Sequence, residues 1–599
     1  MSALLEIAGL NVHFATPDGD VHAVKDASLT VGEGECLGVV GESGSGKSQL
    51  FLAAFGLLSG NGRATGSVKY RGEEILGAPA KRLNRLRGGA VTMIFQDPLT
   101  SLTPHMRIGA QIVEALTHHQ KVPRAEAEKR AREMLDYVRI PEAARRLRQY
   151  PHELSGGMRQ RVMIAMATIT GPDLIVADEP TTALDVTVQA QILEILRALK
   201  TDRKTAIAMV SHDMGVIAGL ADRVQVMRQG EIVEAGAVDD IFYAPRHAYT
   251  RMLLDAIPRA DETPSPVTET GAPLLTVEDV KVSFPVKDIG PFGGFFGKTR
   301  ILRAVDGISF TLHQGETLGV VGESGCGKST LARAVLQLLP KMAGRIVWLG
   351  RDLDAATQTD IRKLRRDFQI VFQDPLASLD PRMPIGGSIA EPLKALEPHL
   401  SRDAVREKVR AIMARVGLDP GWINRYPHEL SGGQNQRVGL ARAMIVEPKM
   451  LVCDEAVSAL DVSIQAQIVA LIRDLQAETR LALIFISHDL SVVRRLSHRV
   501  MVLYLGRVVE MAPAAALYAA PRHPYTRALL SAVLSPDPRV ERARKRELLT
   551  GDLPSPLDPR AQLTFLKSRL DQPDYRPKLI EVAPQHFVAE HDEPDASAP

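Results

Sequence analysis

Two stretches of this chain have the residues to hold phosphate. Gly41-Glu42-Ser43-Gly44-Ser45-Gly46-Lys47-Ser48 and Gly322-Glu323-Ser324-Gly325-Cys326-Gly327-Lys328-Ser329 each read G-x-x-x-x-G-K-[ST]. In that pattern the glycines let consecutive backbone N–H groups cradle phosphates, the lysine reaches the terminal phosphates, and the last hydroxyl holds Mg²⁺. Gln49 and Thr330 follow directly and belong with the phosphate-binding set. A lone match occurs in many folds. Two matches, each between an apolar run and a helical pattern, point to nucleotide binding.

Such a loop needs a buried strand before it and a helix behind it. Cys36–Val40 is an unbroken apolar run, and 49–58 reads as the helix whose positive N-terminal end faces the phosphates. Residues 4–14 alternate as a strand does, and 108–138, rich in Glu, Ala, Arg and Leu, reads as helical.

The phosphate loops are one part of a larger repetition. Tyr150-Pro151-His152-Glu153-Leu154-Ser155-Gly156-Gly157 recurs as Tyr426-Pro427-His428-Glu429-Leu430-Ser431-Gly432-Gly433. An apolar strand ends in Asp178-Glu179 in one copy and in Asp454-Glu455 in the other. Ser155 and Ser431, Glu179 and Glu455, and His212 and His488 are all separated by 276 positions. So constant a register over that period means duplicated domains, not a solenoid. The expected layout is a first domain at 1–258, a linker rich in Pro, Thr and Glu at 259–273, a second domain at 274–534 and an extension at 535–599. A Gly/Phe-rich insertion at 285–300 reads as a flexible loop or a contact surface. The charged run Glu541-Arg542-Ala543-Arg544-Lys545-Arg546 reads as a solvated face.

Composition narrows the class. At 599 residues the chain is too long for one core. With 73 basic and 71 acidic residues it carries no global field that would draw nucleic acid. Cys36, Cys326 and Cys453 are scattered, which excludes a disulfide framework and suits a reducing compartment. There is no apolar run of about 18 residues, so a partner must supply any membrane attachment. His152-Glu153 and His428-Glu429 do not make a zinc motif, because Gly156 and Gly432 stand where the second histidine is needed.

Taken together these blocks resemble the ATP-binding cassette family over both halves. Leu-Ser-Gly-Gly placed shortly before a strand ending Asp-Glu is the most specific mark. The resemblance implies an α/β fold with two tandem P-loop NTPase domains, each with a RecA-like core, an antiparallel β subdomain and a helical subdomain. It implies that Lys47 and Lys328 bind the β/γ-phosphates of ATP. Ser48, Asp178 and Gln96, and in the second copy Ser329, Asp454 and Gln373, would hold Mg²⁺. Glu179 and Glu455 would be general bases, and His212 and His488 would act on the γ-phosphate. Ser155-Gly156-Gly157 and Ser431-Gly432-Gly433 would bind ATP held by the opposite domain, so that Lys47 faces Ser431 and Lys328 faces Ser155. The stretches 183–185 and 459–461 would cross that interface. Phe14 and Phe284 are candidates for stacking on adenine, or core strand residues.

Three departures stand out. Met158 replaces the usual Gln of the first signature, Asn435 the usual Arg of the second, and Ala456-Val457 the Pro180-Thr181 of the first copy. None removes a phosphate ligand or base, so both sites are expected to hydrolyse ATP, at unequal rates. A further repeat, Ala244-Pro245-Arg246-His247-Ala248-Tyr249-Thr250-Arg251 and Ala520-Pro521-Arg522-His523-Pro524-Tyr525-Thr526-Arg527, is similar to tails of dipeptide, oligopeptide and nickel importer ATPases. The 551–556 segment echoes the same tails, and no cysteine follows Cys453 to hold a cluster. This implies a peripheral ATPase on the cytoplasmic face of a bacterial inner membrane. Its partners would be two integral-membrane permease subunits and an external solute-binding protein, its cargo di- or oligopeptides or glutathione. A fused sugar-importer ATPase, and a soluble double cassette acting on ribosomes or DNA, are the alternatives.

Overall fold

The computed structural model describes residues 3–17, 19–182, 184–257, 273–287, 299–458, 460–547, 554–558, 560–572 and 575–592. Nearly all of the expected linker, residues 288–298 of the Gly/Phe-rich insertion, Ala183, Ala459 and 551–553 lie outside them. The chain divides into two compact units. One is Met1–Ile257 with Leu534–Asp552, the other Pro258–Val533 with Leu553–Pro599.

In the first unit the strands Cys36–Val40, Ala206–Ser211, Leu174–Asp178, Val91–Ile94 and Arg223–Arg228 form a parallel sheet, edged by antiparallel Glu231–Ala237. Alternate side chains enter two different cores. Cys36, Val40, Ile175, Ala177, Ile207 and Met209 pack with the helical side. Leu37, Val39, Leu174, Val176, Ala206 and Ala208 pack with the antiparallel sheet of Ala3–Thr16, Gly19–Gly32 and Gly62–Tyr70. Burial on both faces is why these strands read as unbroken apolar runs. It also pushes the Cys36 thiol up to about 12, leaving it inert.

Local chemistry moves two expected boundaries. The helix after the phosphate loop is Lys47–Ala54, two residues earlier than the pattern suggests and ending before Gly56, whose φ is 63°. The helical stretch 108–138 is two helices, Ile108–His119 and Arg124–Tyr137, with Pro123 at the N-cap of the second.

The second unit repeats this plan. Its parallel strands are Phe368–Val371, Met450–Asp454, Ala482–Ile486, Thr317–Val321 and Arg499–Tyr504. Here the sheet continues past the antiparallel strand Arg507–Pro513 into a hairpin from the C-terminal extension, His586–Ala589 and Leu579–Ala583. Glu510 pairs with Val588 and Met511 with Phe587, and Phe587 packs on the core.

The charged run departs from expectation. Beyond helix Pro524–Ala532 the chain rejoins the first unit, and helix Pro538–Ala543 packs on helix Met214–Leu220. Gly215 and Gly219, one turn apart, form its seat. A Cβ on Gly215 would stand 2.8 Å from the Cβ of Leu534, and one on Gly219 3.2 Å from the Cγ of Glu541. Tyr243 donates to Asp537 at 2.5 Å, and the Arg539 guanidinium lies 4.4 Å above the Tyr243 ring. Glu541 is buried with Arg546 as an ion pair and accepts the Ser535 N–H, while Arg542 donates to the Ala221 carbonyl. Thus Glu541 and Arg546 are interior groups that pair with one another, and the run is not simply a solvated face.

Candidate active sites

Both phosphate loops leave a parallel strand and enter a helix, as the chemistry requires. Gly44 and Gly46 have φ of 77° and 96°, and Gly325 and Gly327 have 81° and 105°, a region that glycine enters without strain. The loop is also tightly wedged. A Cβ on Gly46 would stand 2.4 Å from the Ala23 carbonyl oxygen, and one on Gly327 2.1 Å from that of Ala304. Lys47 donates to the carbonyls of Gly41 at 2.7 Å and Glu42 at 2.8 Å; Lys328 does so to Gly322 at 2.7 Å and Glu323 at 3.0 Å. Ser45 Oγ, buried in the loop beside Gly41, has no hydrogen-bond partner.

The strand ends bring the acidic pairs to the loops. Ser48 donates to Asp178 at 2.8 Å and Ser329 to Asp454 at 2.7 Å, an oxygen-rich set suited to a hard cation. Burial raises both aspartates above the usual carboxylate range, an opposition that a cation would relieve. Glu179 and Glu455 sit at φ of 47° and 49°, strained for a non-glycine residue. That turn folds each carboxylate back beside its aspartate.

The two glutamates are held differently. Glu179 accepts from Gln96 at 2.8 Å and Thr182 at 3.0 Å, and His212 Nδ1 lies 3.1 Å away. Burial pulls its pKa up, but His212, Thr182 and Lys47 together hold it below the usual value. Glu455 accepts from Gln373 at 2.8 Å, yet His488 Nδ1 is 3.7 Å away and Lys328 Nζ 3.9 Å. Ser458, the counterpart of Thr182, donates instead to the Glu455 backbone carbonyl at 2.9 Å. His488 is the main influence lowering the Glu455 pKa, against burial.

The signatures open helices Gly156–Thr168 and Gly432–Met444, capped by Ser155 and Ser431. Ser431 accepts from the Gln434 N–H at 3.3 Å and Gln434 returns the bond to the Ser431 N–H at 2.8 Å. Met158 accepts no such return bond, so the first cap is one-sided. Asn435 donates to the Pro427 carbonyl at 2.9 Å, as Arg159 does to Pro151 at 2.8 Å, so the shorter side chain preserves the contact. His152 and His428 stack on Tyr150 and Tyr426, while Glu153 and Glu429 cap those tyrosines' N–H groups. Phe14 is half-buried against the core, whereas Phe284 is 36% exposed. Sequence reasoning missed Tyr249 and Tyr525, whose hydroxyls accept the N–H of Glu42 and of Glu323, each at 3.1 Å. The repeated tail block was the available signal.

Comparison with known proteins shows the family. The ABC transporter family matches residues 24–182 and 305–458, and the oligopeptide/dipeptide transporter C-terminal region matches 233–275 and 509–561. The chain is 44% identical over 618 residues to the glutathione import ATP-binding protein GsiA of Salmonella choleraesuis (strain SC-B67), covering 98% of this chain and 96% of that one. It is 44% identical over 619 residues to GsiA of Escherichia coli (strain K12), covering 98% and 97%. The dimeric ATP-binding cassette MJ0796 bound to ADP and Pi aligns with 39% of this chain and 98% of its own, at 26% identity and a TM-score of 0.36. With two cassettes, two transporter tails and full-length relatives at that identity, the chain belongs to the ABC transporter family as a double-cassette ATPase.

Proposed function

We propose that this ATPase drives import of peptide-like solutes, glutathione or short peptides, through two membrane-embedded permease subunits supplied by an external binding protein. The observation that carries this reading is the transporter tail matched behind each cassette, supported by relatives named for glutathione import. No helix of the described residues is long and apolar enough to cross a membrane, so on this reading the protein is peripheral, at the cytoplasmic face. A cleft of about 340 Å³ in the first unit, lined by Phe55, Leu57, Phe95, Ala115, His119 and Met163, gives a permease helix a largely apolar seat beside Gln96.

The residues present fit Mg²⁺, which Ser48, Asp178 and Gln96, and Ser329, Asp454 and Gln373, would hold. When bound it neutralises charge on the phosphate oxygens. Lys47 and Lys328 bind the terminal phosphates, together with the loop N–H groups. Glu179 and Glu455 orient and deprotonate the attacking water, and the switch histidines donate to the phosphoryl oxygens as charge develops. The signature serines and glycines of one cassette serve the phosphates of the other, so each site needs both halves of the chain. Tethering keeps the partner at about millimolar effective concentration.

The test is uptake of labelled glutathione and of di- and tripeptides by a deletion strain, with detergent pull-down of the tagged protein. Restored uptake and recovered permease subunits are expected. Recovery of ribosomes or DNA without membrane subunits, or rescue of sugar uptake alone, would overturn the reading.

A further inference from the structure

The repeated tail block does no phosphate chemistry, yet in both units it ends on the phosphate loop. Glu234, on strand Glu231–Ala237, accepts the N–H groups of Arg246 at 2.7 Å and His247 at 3.1 Å. Glu510, on strand Arg507–Pro513, does the same for Arg522 at 2.8 Å and His523 at 2.9 Å. His247 and His523 then cap the next helix, their Nδ1 atoms accepting the N–H of Tyr249 at 3.1 Å and of Tyr525 at 3.2 Å. A neutral imidazole is needed for that bond, and burial pushes His523 down to about 3. The tyrosines that follow are only 3% and 0% exposed.

Their hydroxyls meet one particular peptide unit. Glu42 N–H, bonded to Tyr249 Oη, belongs to the same amide as the Gly41 carbonyl that receives Lys47. Glu323 N–H and the Gly322 carbonyl stand in the same relation to Tyr525 and Lys328. A trans peptide is planar, with its N–H and C=O pointing opposite ways. Tyrosine on one side and lysine on the other therefore fix the same plane. Without the hydroxyl, that N–H loses this hydrogen bond and the peptide plane that seats the lysine loses one of the two contacts fixing it.

The two copies differ in what stands behind the tyrosine. In the second unit Tyr525 also donates to the Glu323 carboxylate at 3.4 Å. Phe565 of the C-terminal extension contacts the rings of Tyr525, His523 and Tyr504 at centroid distances of 6.0, 5.2 and 5.3 Å. His586, from the added hairpin, meets Glu510 at 2.7 Å, with both groups buried. In the first unit the ring of Tyr249 has the Arg228 guanidinium 5.0 Å away.

We propose that Tyr249 and Tyr525 are positioning residues for the phosphate-loop lysines, and that the C-terminal extension, through Phe565 and His586, braces the second so that the two sites hold nucleotide unequally. The inference rests on the ATPase assignment but not on the cargo, so a failed uptake test leaves it standing. In the full chain, Tyr249→Phe and Tyr525→Phe should each raise the KM for ATP about two- to tenfold, the range for one lost hydrogen bond, with a smaller change in kcat. A merely structural role would lower the melting temperature and leave KM unmoved. Binding of a fluorescent Mg·ATP analogue should resolve two affinity classes, and His586→Gln should weaken only the class that Tyr525→Phe weakens. A native melting temperature with KM unchanged in both tyrosine variants would overturn the positioning role. An effect of His586→Gln on both classes, or on neither, would overturn the brace. If Tyr525→Phe fails to fold, Tyr249→Phe still tests the positioning role, and His586→Gln, read against the class Tyr249→Phe moves, tests the brace.

Discussion

Replacing the two proposed bases with glutamine, singly and together, tests both their role and their inequality. A positioned base contributes about 10²–10⁴-fold, or about 2.7–5.4 kcal/mol at 1.36 kcal/mol per decade. The double variant, Glu179→Gln with Glu455→Gln, should therefore lose that factor in kcat while still binding ATP, because glutamine keeps the shape and Lys47 and Lys328 are untouched. The single variants should differ. Glu179 has three partners within 3.1 Å, whereas at Glu455 only Gln373 lies that close, with His488 at 3.7 Å. Hydrogen bonds to a charged group are worth about 1.5–3 kcal/mol; at 3.7 Å His488 still lowers the Glu455 pKa but is too distant to fix the carboxylate's direction. Both carboxylates are held below their ordinary pKa, and the predicted difference rests on orientation. Even the lower figure, realised in the transition state, makes the first site about tenfold faster. If the sites turn over independently, Glu455→Gln keeps about nine-tenths of steady-state phosphate release and Glu179→Gln about one-tenth. Equal losses, or a larger loss from Glu455→Gln, would refute the orientation argument. Unchanged hydrolysis in the double variant would refute the bases themselves.

Asp178 has a folded pKa raised by burial, so ionising it opposes folding at neutral pH, and this opposition fades as pH falls through the raised value. Asp178→Asn should therefore melt at a higher temperature than the parent at pH 7 while losing Mg²⁺-dependent turnover, read by calorimetry and phosphate release. Glu179 has the opposite sign: its contribution is present above its unfolded pKa and is lost as pH falls through the lower folded value. Acidification of the parent should accordingly raise the KM for Mg²⁺ as Asp178 and Asp454 protonate. Gly46→Ala, with no room between loop and the Ala23 carbonyl, should abolish high-affinity ATP binding at the first site, measured by titration with the fluorescent analogue. A protease site inserted within 261–270 should give two fragments that still co-elute after cleavage, because 534–547 from the C-terminal fragment remains packed on the first unit. Adding Glu541→Ala, which strips Arg546 of its buried partner, should release them about a hundredfold or more readily, the scale of a broken buried pair.

Much of this was legible in residue types alone. A phosphate loop must follow a buried strand, so the run Cys36–Val40 identified both the strand and the layer it occupies. The 276-residue spacing of the signature, acidic-pair and histidine blocks carried those first-copy assignments into the second, and the recurring order of motifs carried the rest. What escaped were contacts whose partners lie far apart and whose types advertise something else. Glu541 and Arg546 look like solvent-facing charges, because a buried pair and an exposed one have the same letters. Tyr249 stands 207 residues from Glu42, and no local pattern joins them. The outer strand of the added hairpin has Ile580 and Val582 exposed at 50% and 52%, so its apolar residues mark no inward face, although the inner strand His586–Ala589 is largely buried. Gly215 and Gly219, a residue type that costs stability within a helix, form the flat bed of the docked segment.

That docked segment also bears on synthesis. Helix Met214–Leu220, which begins two residues after His212, receives its cover from residues that leave the ribosome about 290 positions after the first unit is otherwise complete. At roughly 5–20 residues per second this is a delay of about 15–60 s. During that time the bed formed by Gly215 and Gly219 is exposed on a nascent chain, available to chaperones or to the same segment of a neighbouring copy. Closing it last makes the end of the message a checkpoint for its beginning: a truncated product keeps its first cassette but not the cover on helix Met214–Leu220.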